Sequence, residues 1–165
     1  MKESNGDFIM LIMKQKLTTD RFQKFLTRRR KGVLKMFKET CNKMFIPVHI
    51  SDYNVTHNVT IQQGKLIVTA EYNFVTFIHI PVKQFVHTLL KEFNGMLTNY
   101  FSIVTKYNRF VNTINFEVKD VKVYVKDSDR LVMLPKVVRV IGGIKIEVKL
   151  RFKVIVTYVL KKSVS

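Results

Sequence analysis

Hydrophobic positions along the chain change their period twice. Phe22, Leu26, Val33, Phe37, Cys41 and Met44 follow one another at spacings of 4, 7, 4, 4 and 3, which places them on one stripe of a helix. Asp20 with Gln23 three residues later makes an N-cap and its reciprocal partner. Pro47 closes the element, so a helix is predicted over 20–45. The middle of the chain reads as strand, glycine-containing turn, strand: Val59 and Ile61, then Gln62-Gln63-Gly64-Lys65, then Leu66, Val68 and Ala70. A third strand is predicted from Val75 to Ile80, and Pro81 suits the first turn of a following helix. Val82, Phe85, Val86, Leu89, Leu90, Phe93, Leu97, Tyr100 and Phe101 then recur at three and four. That helix, over 82–105, buries its stripe against one face of the hairpin.

From about Val111 the period becomes two. Val121, Val123 and Val125 alternate with Lys122, Tyr124 and Lys126; Ile144, Ile146 and Val148 alternate with Lys145, Glu147 and Lys149; Phe152, Val154 and Val156 alternate with Arg151, Lys153 and Ile155. Strands with one apolar and one basic face belong to a half-solvated antiparallel sheet. Asp127-Ser128-Asp129 and Ile141-Gly142-Gly143 mark turns. The predicted class is α+β: two small α/β units of antiparallel strands with a central helix, preceded by an extra basic N-terminal helix. The matching division is a basic extension over 1–45, a hairpin-plus-helix unit over 46–105 and a mainly β unit over 106–165.

Charge sharpens this picture. The 165 residues carry 29 Lys and Arg against 12 Asp and Glu, a net charge of +17, while 47% of residues are hydrophobic. The chain therefore has ample apolar surface to bury, unlike a disordered basic tail. Residues 1–45 hold 12 basic and 4 acidic side chains, residues 46–110 hold 5 and 3, and residues 111–165 hold 12 and 5. Both ends are basic and the middle is nearly neutral. An excess of this size points to a polyanion, nucleic acid first. The apolar run Phe8 to Met13 is too short to span a membrane, and the opening Met1 to Asp7 is acidic where a secretory signal is basic. A folded, soluble, intracellular protein with no membrane partner is expected.

Catalytic chemistry has little support. His49, His57, His79 and His87 are scattered without metal-ligand spacing, and no metal or other cofactor is expected. Cys41 sits on the apolar stripe, where a buried inert thiol is expected. Glu71, Glu92, Glu117, Asp120, Asp127 and Asp129 form no recognisable nuclease pattern, and Asp127 and Asp129 read as turn formers. Arg28-Arg29-Arg30-Lys31 reads either as a solvated helix face or as a phosphate grip, and an Arg-rich, acid-poor amphipathic segment is also what a transit peptide looks like. Phe22, Phe25, Phe85, Phe93 and Phe152 fall mostly on core stripes. Contact with a folded double-stranded backbone is thus favoured over a stacking platform for single strands.

The hairpin Asn58-Val59-Thr60-Ile61-Gln62-Gln63-Gly64-Lys65-Leu66-Ile67-Val68 is similar to the first-repeat hairpin of the large-subunit ribosomal protein six family. Thr88-Leu89-Leu90 with Asn94-Gly95-Met96-Leu97 and Phe101 resembles that family's central helix. The stretch from Pro135 to Ile141-Gly142-Gly143-Ile144-Lys145-Ile146-Glu147-Val148 resembles its following strand segment. Ile155 to Val164 can be laid over its last motif, with Lys161 matching the motif's lysine. The resemblance covers about residues 55–165. It implies two duplicated α/β units and a non-catalytic ribosomal protein that braces ribosomal RNA near the site where translation factors act, beside neighbouring ribosomal proteins. An organellar, mitochondrial version fits the Lys, Asn, Ile and Phe usage; otherwise the ribosome is cytoplasmic. The expected nucleic-acid contacts are Arg28, Arg29, Arg30, Lys31, Lys136, Arg139, Lys145, Lys149, Arg151, Lys153, Lys161 and Lys162. Lys145 and Lys149 on one strand, with Arg151 and Lys153 on the next, are expected to form a patch. The alternatives are a small basic DNA-binding protein of a virus or plasmid, and a metal-dependent nuclease.

Overall fold

The computed structural model describes residues 20–107, 116–127 and 136–160. Helix α1 (Asp20–Lys43) precedes strands β1 (Val48–Gln62) and β2 (Lys65–Ile80). Helix α2 (Phe85–Tyr107) follows, then β3 (Phe116–Asp127), β4 (Lys136–Val140) and β5 (Gly143–Leu160). The class is α+β, with an antiparallel five-stranded sheet and the basic helix in front of it.

Strands from either side of α2 join in one sheet, ordered β1-β2-β5-β3, with β4 beside the first residues of β5. The central pair β2–β5 is long, running from Ile67 opposite Val159 to Ile80 opposite Ile146. Its cause is visible in β2, where every even residue from Leu66 to Ile80 is buried, Thr76 among them. Val148, Leu150, Phe152, Val154, Val156 and Tyr158 form the matching row on β5. Both helices lie on this face. Phe37 of α1 and Phe93 of α2 meet edge-on at 4.9 Å between ring centroids, and Phe37 meets Phe152 at the same distance. Phe152 stacks on Phe74 at 5.0 Å with the rings 6° apart. Four elements are thereby tied by one aromatic knot, worth about 0.5–1.5 kcal/mol per ring pair beyond area burial.

Three expectations change. The third strand predicted from Val75 to Ile80 is the second half of β2, because Ala70-Glu71-Tyr72-Asn73-Phe74 continues the alternation without glycine or proline. Arg151 and Lys153 lie on the same strand as Lys145 and Lys149, not on the next one, since β5 runs unbroken. The central helix begins at Phe85: Pro81 lacks the donor to extend the β2 ladder, and residues 81–84 form a turn closed by Phe85 N–H to the Val82 carbonyl at 3.2 Å.

The hairpin turn matches its sequence, whereas the turn predicted at Asp127-Ser128-Asp129 falls on residues 128–129, outside the described residues. Gln63 (φ 52°) and Gly64 (φ 75°) both occupy positive φ, the two-residue turn whose twist suits a hairpin. At the end of α1, Phe45 takes φ 57°, with Phe45 N–H bonded to the Asn42 carbonyl at 3.1 Å and Ile46 N–H to the Cys41 carbonyl at 2.8 Å. This is a left-handed helix cap, with Ile46 buried behind it. The second face of the sheet carries no helix among the described residues.

Candidate nucleic-acid interface

That second face is built by the odd residues of β2 and β5 and their partners. Alternation sends Lys145, Glu147, Lys149, Arg151, Lys153 and Ile155 to the side opposite the core. Register then fixes their neighbours. Lys126 lies opposite Arg151, Tyr124 opposite Lys153 and Lys122 opposite Ile155 on the β3 side. Phe77 lies opposite Lys149 and Asn73 opposite Lys153 on the β2 side. Four cations (Lys122, Lys126, Arg151 and Lys153) therefore neighbour Tyr124, which is 50% exposed, and Lys149 continues the row along β5.

Acidic groups are few here. Glu71 Oε1 lies 3.6 Å from Lys153 Nζ, and its other oxygen accepts a bond from Asn73 Nδ2 at 3.1 Å. Asn73 also donates to Asn54 Oδ1 at 3.2 Å, so a polar chain crosses β1 and β2 and reaches Lys153 of β5 from the β2 side. Glu147 is occupied by His79 at 3.0 Å. Lys149 Nζ lies 5.7 Å from the centre of the Phe77 ring. Among the described residues no carboxylate lies within salt-bridge range of Lys122, Lys126 or Arg151. Toward β1 the face turns neutral, with Ser51, Asn54, Thr56 and Asn58. A shallow depression of about 470 Å³ lies over the basic half, lined by Asn73, Tyr124, Lys126, Arg151, Lys153 and Ile155.

The expected contacts thus divide. Lys145, Lys149, Arg151 and Lys153 share the open face. Arg139 pairs with Ile144 and falls on the opposite side of the sheet. Lys136 is the first residue of β4, and Lys161 and Lys162 lie outside the described residues. The arginine run sits on α1, across the sheet from the patch, and its members part company. Arg28 and Lys31 are exposed. Arg30 packs its guanidinium over the Tyr53 ring at 4.7 Å. Arg29 turns inward, 5.3 Å from the Phe25 ring centre, and donates a hydrogen bond to the Tyr100 hydroxyl. The sequence reading missed Lys122, Lys126, Tyr124 and Phe77. The alternation through Val121–Lys126 already separated the first three from the core.

Elsewhere, burial pushes the Cys41 thiol up to about 12, as for an inert core cysteine. The described residues contain no group of three His, Cys, Asp or Glu able to hold a metal ion. None of their helices is long and apolar enough to cross a membrane. No protein-family model matches the chain, and no curated protein is similar to it in sequence.

Proposed function

We propose that the protein is a non-catalytic nucleic-acid-binding protein whose open sheet face grips the phosphate backbone. One observation carries the reading: the face left uncovered by the helices gathers Lys122 and Lys126 of β3 with Lys145, Lys149, Arg151 and Lys153 of β5, and Glu71 is the one carboxylate in ion-pair range of them among the described residues. A core-facing requirement cannot explain cations on a solvent face, and a merely solvated face mixes both signs. Lysines and arginines so placed act on phosphate charge and shape, not on base identity. The favoured partner is RNA. The resemblance to the ribosomal protein six family supplies the setting, ribosomal RNA of the large subunit. In a native lysate the chain is expected to sediment with the large ribosomal particle and to shift when magnesium is chelated. A free, slowly sedimenting pool would reject the ribosome. Duplex DNA binding with no preference for RNA would then point to the DNA-binding alternative.

A further inference from the structure

Tyr124 is the feature of the open face that phosphate binding leaves unexplained. Tyr124 points away from the core with half of its surface exposed, and its neighbours on that face are mostly cations. Lys122 and Lys126 flank it two residues away on the same side of β3, Lys153 lies directly across, and Arg151 lies on the diagonal. Residues two apart on a strand are about 7 Å apart, and strands are about 4.8 Å apart. The ring is therefore flanked by positive charge at the distance of one nucleotide. Ile155 adds an apolar wall, and the depression of about 470 Å³ over these residues falls in the range of roughly 300–1,000 Å³ typical of small-molecule sites. A duplex hides its base faces and has no use for such a ring. An unpaired base does: stacking on an aromatic with its phosphates on neighbouring cations is how single strands are held irrespective of sequence.

We infer that Tyr124 stacks an unpaired base of a single-stranded polynucleotide, with Lys122, Lys126, Arg151 and Lys153 taking the adjoining phosphates. This deepens the reading proposed above and rests on it. It also reverses the expectation that a double-stranded backbone is preferred. The Asn54–Asn73–Glu71 chain engages Lys153 from β2, on the far side of β5 from the strand that carries Tyr124.

The test uses the full chain, labelled uridine and thymidine oligonucleotides, and a duplex of matched length and salt. The single strands should bind more tightly than the duplex, and the RNA and DNA arms say which sugar is preferred. Tyr124→Ala should weaken single-strand binding roughly 5- to 150-fold while leaving the salt slope unchanged, because no cation is lost. Tyr124→Phe keeps the ring and should bind like the parent, which guards against a folding artefact. A 2-aminopurine placed in the single strand should change its fluorescence on binding to the parent and not to Tyr124→Ala. If Tyr124→Ala binds like the parent while Arg151→Gln weakens binding, the stacking inference falls and the basic-face reading stands. A preference for the duplex overturns it equally. If the parent binds no nucleic acid, the proposed function itself falls.

Discussion

Two helical glycines have opposite reasons to be there. A Cβ on Gly32 would overlap the Tyr100 ring, which packs its hydroxyl end against the α1 backbone. A Cβ on Gly95, on the exposed side of α2, would meet nothing. Gly32→Ala should therefore destabilise the fold by about 1–3 kcal/mol through overpacking, despite alanine's better helix propensity. Gly95→Ala should stabilise it by up to ~1 kcal/mol. Urea midpoints of both variants check this, and a gain at Gly32 would contradict the packing. Tyr100, Tyr72, Tyr158 and Cys41 also set a pH limit. Burial raises the pKa of all four in the folded state and so holds them neutral, whereas the unfolded chain ionises near the ordinary values of 9.0 for the thiol and 10.0 for the phenols. Their contribution is thus complete below pH 9.0 and is lost as pH rises toward 12. Denaturation midpoints measured upward from pH 9.0 should fall, and a flat profile would show that these groups ionise freely in the fold.

At the scale of elements, α1 ends on a residue poorly suited to its backbone. Phe45 holds φ 57° with its side chain 89% exposed. Left-handed conformation costs an L residue about 1–2 kcal/mol, part of which glycine recovers. Phe45→Gly should raise stability by about 0.5–1 kcal/mol in thermal or urea unfolding; a loss would mean that the exposed ring supports the fold. The same scale shows what could be read from the chain. The stripe through Leu26, Val33, Phe37 and Cys41 and the alternation through β3 and β5 name the core-facing side, since each period fixes a face. They do not name the depth: Val121, Val123, Val125 and Ile146 are half-buried and Ile144, at the start of β5, is exposed. A period does not name the strand that lies alongside. The β2–β5 pairing joins residues about eighty positions apart, and only that register and β5–β3 bring Tyr124, Lys153 and Asn73 together. Nor does a charge run declare its direction. At 3.6 residues per turn, four consecutive residues wrap most of a helix, so Arg28-Arg29-Arg30-Lys31 cannot share one solvent face, and Arg29 goes inward.

Across the whole molecule the sheet separates two kinds of basic surface. Behind it, α1 carries Arg28 and Lys31 among the helices that seal the core. In front, uncovered by either helix, stand Lys122, Lys126, Lys149, Arg151 and Lys153. A net charge of +17 favours a polyanion at both surfaces from a distance, and the proposed reading puts the phosphate contacts on the one that combines cations with an accessible ring. The most direct measurement is the dependence of nucleic-acid affinity on salt for two triple variants. One is Lys122→Gln with Lys126→Gln and Arg151→Gln; the other is Arg28→Gln with Lys31→Gln and Lys35→Gln on α1. Each phosphate contact on a single strand contributes about 0.7 to the slope of log K against log salt. The sheet variant should therefore flatten the slope by about 2, and the helix variant should leave it near the parent value. A helix variant that flattens the slope while the sheet variant keeps it would place the interface on α1 and contradict the account.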